Sequence, residues 1–319
     1  MAEQNKIKPD TILKNFWRNN DRFADLFNTA LFGGEKVLDP TSLTEVDTDV
    51  SSSLKINGHA ETVQRVLDVV KKNAFGIEFA IFGIENQQKI HYAMPLRHMI
   101  GDAFSYLKEC QEIAAGNNSS MDYASSDEFL SRFKKTDKLH PVVTLCLYYG
   151  ETPWDGPLCL ADMLHIPEEI RPLVADYKMN LLQLRDSQNL QFQNMDVKIV
   201  FDVSNSIYQK KFDKIMEVYG QQALPAELGI VIGAITESQD LIDHAVESER
   251  KGGKINMCTA LEEFKQESKR EGLQEGLKGS VEICKDLGLS LEDAMKLIKK
   301  KFNLPEEEVQ RYVKEYWID

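Results

Sequence analysis

Long hydrophobic runs are missing from this 319-residue chain, and so is any surplus of positive charge. No stretch approaches the roughly eighteen consecutive apolar residues that a membrane helix needs, so no membrane partner is expected. The opening residues, MAEQNKIKPD, have no apolar core of the kind a secretory signal carries, and none is expected. Lys and Arg number 38 against 51 Asp and Glu, a formal net charge of −13. Phosphate neutralisation requires Lys and Arg, so binding to nucleic acid over the whole surface is excluded. Any role on DNA must rest on a local patch. Cysteine is sparse and odd in number: Cys110, Cys146, Cys159, Cys258 and Cys284 stand apart, with no CxxC pair. That spacing supports neither a disulfide framework nor a structural zinc site. A reduced, cytoplasmic protein is expected, its cysteines serving as small hydrophobes. GxSxG, the phosphate-binding P-loop and GxGxxG are all absent.

What is present is an ordinary globular balance, 42% hydrophobic and 28% charged, which excludes wholesale disorder. After Asn19-Asn20-Asp21, the residues Phe23, Leu26, Phe27, Ala30 and Leu31 recur at helical spacing until Gly33-Gly34. Two runs rich in Val, Ile and Phe follow, at 62–72 and 75–92. The second is apolar on both faces over FAIFGI, which predicts a central strand covered on both sides. Met99, Ala103, Tyr106, Leu107 and Cys110 then recur at helical spacing, and GNNSSMDYASSDE reads as a linker. HPVVTLCLYYG predicts another doubly covered strand, YKMNLLQL one more, and 204–248 is largely helical. Helix, strands, helix and strand in that order predict an α/β fold with a mixed sheet.

The tail changes character. An EG-repeat (Glu271-Gly272, Glu275-Gly276, Lys278-Gly279) lies within a charged helical stretch at 258–285. Glycine costs about 1 kcal/mol relative to Ala in a helix, so this helix needs a packing partner, a second copy being one possibility. Ser290 with Asp293, then Pro305 with Glu306, Glu307 and Glu308, mark the starts of two terminal helices. The expected organisation is a main domain over 1–250, a charged helical segment over 251–289 and a helical hairpin over 290–319.

Chemistry points to one place. Read by its period of two, the second run puts Glu85, Gln87 and Lys89 on one face, with His91 next in register. Asp68 interrupts a second apolar run, Val66-Leu67-Asp68-Val69-Val70, seventeen residues earlier, and one hairpin spans that interval. Carboxylates in apolar strands must be paired or bound to metal, and a hard divalent cation resolves the repulsion between two of them. Acids at solvated strand ends or in structural ion pairs are the alternative.

The Asp–x(n)–Glu–x–(Lys or Gln) pattern across adjacent strands resembles that of the PD-(D/E)XK nucleases. The stretches FADLFN (23–28), LDVVKK (67–72), GIENQQKIHYAMPLRHMIGDAFSYLKE (83–109), VVTLCLYYGETPWDGP (142–157) and NMCTALEEF with the EG-repeat (256–279) resemble one branch of it, the Rpn (recombination-promoting nuclease) and transposase-like family. The resemblance implies a restriction-endonuclease-like core with a mixed central sheet, and Mg²⁺-dependent (or Mn²⁺-dependent) endonuclease action on DNA in recombination or transposition. By position it makes Asp68 and Glu85 the metal ligands, puts Gln87 in the slot of the motif's lysine, and makes Asp25 an accessory acid. Arg97 would lie near the phosphate or in a structural ion pair. Two departures stand out. Gln87 carries no charge to offset a developing oxyanion, and Leu67 replaces the Arg that usually precedes the aspartate. Lys89, on the same face, could supply the missing charge or be a solvated lysine. A homo-oligomer joined through the helical tail is expected. The competing reading is a nuclease-like fold without catalysis that acts as a DNA-associated or assembly module.

Overall fold

A computed structural model of the chain describes residues 8–46, 52–56, 59–63, 68–73, 75–82, 89–302 and 304–318. The first described elements are α1 (Pro9–Arg18), whose Pro at the first turn pre-sets the helical φ, and α2 (Asn20–Phe32). The Asn19 side chain caps α2 by accepting from the N–H groups of Asp21 and Arg22. Gly33 ends it at φ 62°, a left-handed position that favours glycine. The short β1 (Thr44–Glu45) follows, then β2 (Ser52–Ile56) and β3 (His59–Val63), which pair with each other.

The main sheet adds β4 (Val69–Lys72) and β5 (Glu78–Phe82), an antiparallel hairpin with Val69 opposite Ile81. The long helix α3 (Met94–Ser120) and short α4 (Ser126–Ser131) then lead to β6 (Val142–Tyr148) and later β7 (Asn180–Gln183). β5, β6 and β7 run parallel, so the strand order β1-β4-β5-β6-β7 makes a mixed five-stranded sheet. Parallel neighbours need a crossover, and α3 supplies it between β5 and β6.

Alternation along the strands builds two layers. Val69, Phe79, Leu145 and Leu147 face one side, where α1, α2 and the helices α5 (Met195–Tyr208), α6 (Phe212–Tyr219) and α7 (Ala226–Ile235) join them in the largest core. Val70, Ala80 and Cys146 face the other side with Met94 of α3. Burial on both faces is why these strands read as continuous apolar runs. The α/β class with a mixed sheet flanked by helices is therefore as expected.

Beyond the sheet, β8 (Ala223–Pro225) pairs antiparallel with β9 (Lys254–Asn256) around α7 and α8 (Gln239–Gly252). The tail is α9 (Met257–Asp286), α10 (Leu291–Phe302) and α11 (Glu306–Ile318). Among the described residues, no helix is long and apolar enough to cross a membrane.

Several local expectations change. Residues 116–120 end α3 and 126–131 form a capped helix, so the expected linker GNNSSMDYASSDE is helical at both ends and open only over 121–125. α3 buries Met94, His98, Gly101, Asp102 and Ser105 rather than the Met99 and Ala103 stripe. Of its inward polar groups, Asp102 has a partner on the sheet in Thr144. Lys71 of β4, only 1% exposed, donates to the Arg18 carbonyl and the Asn20 side chain. The glycine-bearing part of α9 finds its partner in its own chain. Leu277 and Val281 pack with Ile298, Val309, Tyr312 and Val313 of the terminal hairpin.

Candidate active site at the carboxyl ends of the parallel strands

Ligands of open α/β sheets gather outside the carboxyl ends of the parallel strands. Here that edge holds Phe82, Tyr148 and Gln183, the last residues of β5, β6 and β7. Because β4 runs the other way, its first residue lies at the same edge, and Asp68 directly precedes it. Asp68 is 9% exposed.

A cation reaches Asp68 from α1. The apolar stripe Ile12, Leu13, Phe16 and Trp17 buries one side of that helix, and the Trp17 indole N–H donates to the Tyr149 hydroxyl at 2.8 Å. Asp10 and Lys14, one turn apart, flank the stripe. The Lys14 ammonium lies 3.1 Å from an Asp10 oxygen and 3.2 Å from Asp68 Oδ1. Burial pulls the Lys14 pKa down, but the two carboxylates outweigh it and the net shift is upward. Neither Asp10 nor Lys14 stood out from the sequence, since an acid and a base four residues apart behind a helix-starting Pro signal only a local helix-face pair.

Arg97 and His98 lie in the first turns of α3, at the same edge. His98 is fully buried, and its pKa is pushed down to about 3 by burial first and by the Arg97 charge second. It is a neutral imidazole at physiological pH. The Cys146 thiol on β6 is pushed up to about 12, chiefly by burial; Asp68 adds to the shift and Arg97 opposes it. Asp68 and Arg97 therefore act with opposite sign on one buried thiol, and two of the expected site residues share a neighbourhood.

The other expected residues divide. Glu85 and Gln87 lie outside the described residues. Lys89 is exposed, seven residues past the end of β5, on the segment leading into α3. Asp25 is committed elsewhere: its two carboxylate oxygens accept the N–H groups of Gln193 and Asn194, at 2.9 and 3.0 Å, and so fix the approach to α5. It borders an open cavity of about 530 Å³ that Asn28 and Lys36 also line.

A loop closes one side of the edge. The Trp154 ring packs edge-on to Tyr148 with centroids 5.2 Å apart, its indole N–H donates to the Gly156 carbonyl, and its backbone N–H donates to Gln183. Gly150 permits this path, since a Cβ there would sit 2.1 Å from the Tyr148 hydroxyl. Trp154 thus anchors the loop against the ends of β6 and β7. Tyr92, just before α3, reaches the same loop by donating to Asp155 at 3.1 Å.

No family model, no curated protein and no solved structure matches the chain. The assignment of chemistry therefore rests on the residues themselves. Oxygens of Asp10 and Asp68 converge on the Lys14 ammonium. Among the described residues, no group of three His, Cys, Asp or Glu side chains is arranged to hold a metal. A metal at Asp68 thus depends on Glu85, the second ligand that the resemblance implies.

Proposed function

We propose that the chain is a metal-dependent DNA endonuclease of the PD-(D/E)XK type, with Asp68 and Glu85 holding Mg²⁺ or Mn²⁺. The observation that carries this reading is the placement of Asp68. It is a nearly buried carboxylate at the open edge of the β4–β5 hairpin, beside the carboxyl ends of the parallel strands, with Arg97 in the same electrostatic neighbourhood. A divalent cation there supplies charge to offset the phosphate and acidifies a water. The chain's own contribution is orientation and charge. Arg97 gives donors and a fixed positive charge near the phosphate, Lys89 is an exposed cation on the incoming segment, and Gln87 offers an amide to position water. The loop anchored by Trp154 limits solvent on one side. A net charge of −13 makes DNA affinity modest and salt-sensitive. The test is nicking of supercoiled plasmid with Mg²⁺ or Mn²⁺ by wild type, Asp68→Ala and Glu85→Ala. Cleavage only by wild type supports the reading; equal cleavage by all three removes the site.

One observation favours the competing reading, a nuclease-like fold that assembles without cutting. Asp68 has an ammonium of its own chain at 3.2 Å, that of Lys14. In this reading self-association runs through the outward side of α9, where Ile283 and, just past the helix end, Leu287 are exposed. Sedimentation of the full chain and of Ile283→Glu, with no cleavage by wild type in either metal, would support it.

A further inference from the structure

Between α2, the loop at 34–40 and the approach to α5 lies the open cavity that Asp25 borders, about 530 Å³ and of a size suited to a small molecule. We propose that this cavity binds a free α-amino acid with a cationic side chain, its carboxylate on Lys36 and its two cationic groups on Asp21, Asp25 and Asp39. The proposal is independent of the endonuclease reading. Hydrogen bonds from one face of α2 hold both walls in place. The Asn28 side-chain oxygen accepts the N–H groups of Val37 and Leu38 at 3.0 and 2.8 Å, and its amide donates to the Leu38 carbonyl at 2.9 Å. One turn earlier, Asp25 fixes Gln193 and Asn194 on the other side. Asp25 and Asn28 are 9% and 8% exposed, so the concavity is built into the fold before any ligand arrives. Each Asp25 oxygen accepts one backbone N–H and keeps a second lone pair for a ligand donor.

The lining carries charges of both signs. Asp21 and Asp39 are exposed at the rim, and Lys36 is exposed on the loop. Among the described residues Lys36 has no ion-pair partner, which leaves its ammonium to an incoming carboxylate. The Asn194 side-chain oxygen caps α5, and its amide N–H donors remain for the same carboxylate. Three carboxylates stand against one ammonium. A ligand with two cationic groups and one carboxylate answers both signs. A neutral amino acid leaves carboxylates unanswered, and a plain diamine sets an ammonium against Lys36. Ala24, Leu38 and Pro40 supply apolar wall for the methylenes between the charges.

Calorimetric titration of the full chain with L-lysine, L-arginine, norleucine and cadaverine tests the assignment, with melting curves in each ligand as a second readout. Wild type should bind L-lysine or L-arginine with Kd below about 1 mM. Norleucine lacks the second ammonium and should bind at least about fivefold more weakly. Lys36→Gln should weaken L-lysine about fivefold and leave cadaverine, which has no carboxylate, unweakened. Asp39→Asn keeps an acceptor for the Thr41 N–H and should weaken L-lysine and cadaverine alike. Both substituted side chains are exposed, and melting without ligand should match wild type. Equal L-lysine affinity in wild type and Lys36→Gln, or equal affinity of wild type for L-lysine and norleucine, would overturn the proposal. So would the absence of heat and of any rise in melting temperature with both basic amino acids at about 10 mM.

Discussion

The indole N–H of Trp17 donates to the hydroxyl of Tyr149 at 2.8 Å, joining α1 to the residue that follows β6 across 132 positions of sequence. Both side chains are essentially buried. This bond holds α1 at the carboxyl edge of the sheet, and with it Lys14 and Asp10. Tyr149→Phe keeps the ring and deletes the acceptor, leaving a buried indole N–H without its partner. It should cost about 1–2 kcal/mol, read as a lower midpoint in urea unfolding. Trp17→Phe in the Tyr149→Phe background should then add less than it does alone. Additive losses would show that the two residues are not coupled.

Arg22 performs a similar tie on the far side of the main core. Its guanidinium donates to both oxygens of Glu227 at 2.7 and 2.8 Å and to Asp196 at 2.8 and 3.1 Å, with Phe16 stacked 4.4 Å away. The bonds join α2 to the first turns of α5 and α7. Arg22→Ala should cost about 2 kcal/mol, below the usual figure for a buried pair because Glu227 is half-exposed. Arg22→Lys should recover less than half of that, for want of the fork. The hydrogen bond from Arg22 holds the Glu227 carboxyl below its ordinary value of 4.5, so this stabilisation is whole above that value and is lost as pH falls through the lowered one. An acid titration of Arg22→Ala against wild type should show the two stabilities converging below pH 4.5; a constant gap would refute the linkage.

Asp102 titrates in the opposite sense. Burial raises its pKa, the hydrogen bonds from Thr144 and Tyr177 lower it, and Glu78 raises it, with a net upward shift. Tyr177 donates at 2.6 Å, and Thr144 also donates. A carboxyl with a raised folded-state pKa stabilises most when protonated. Its contribution is full below the ordinary value of 3.8 and is lost as pH rises through the raised one. Asp102→Asn cannot titrate, so its melting temperature relative to wild type should climb between pH 3.5 and pH 7, over a window set by the ordinary and raised values. A difference that stays flat with pH would count against this assignment.

The parts of this fold legible in the sequence are those where one residue type has one use. FAIF and VVTLCLY read as central strands because helices cover both faces of the sheet. Asn19 and Gly33 bracket α2, and the Ser290 hydroxyl accepts from the Asp293 N–H and donates to its carboxylate at the start of α10. The inward face of α3 escaped because hydrophobic periodicity is blind to polar groups satisfied across a layer, such as Asp102 by Thr144. Of the candidate site, Asp68 was legible as a carboxylate out of place in an apolar run. Its partner was not, since Lys14 lies 54 residues earlier and is an ordinary helix-face lysine until the tertiary fold sets it against Asp68.

The glycines of the EG-repeat distinguish packing within the chain from packing between chains. A Cβ added at Gly276 would lie 3.2 Å from the Phe302 ring, whereas one added at Gly272 or Gly279 would meet no described atom within 4 Å. Only Gly276 therefore has a packing reason inside the chain. Alanine at Gly279 or Gly272 should stabilise α9 by about 0.5–1 kcal/mol each through helix propensity. At Gly276 the same change should gain little, because the Phe302 ring must shift. If the repeat instead seats a second copy through its glycines, Ala at 272 and 279 would crowd that interface, and association measured by sedimentation would weaken. Higher melting temperatures at 272 and 279 with unchanged sedimentation would assign the packing of the repeat to α10 and α11 of the same chain.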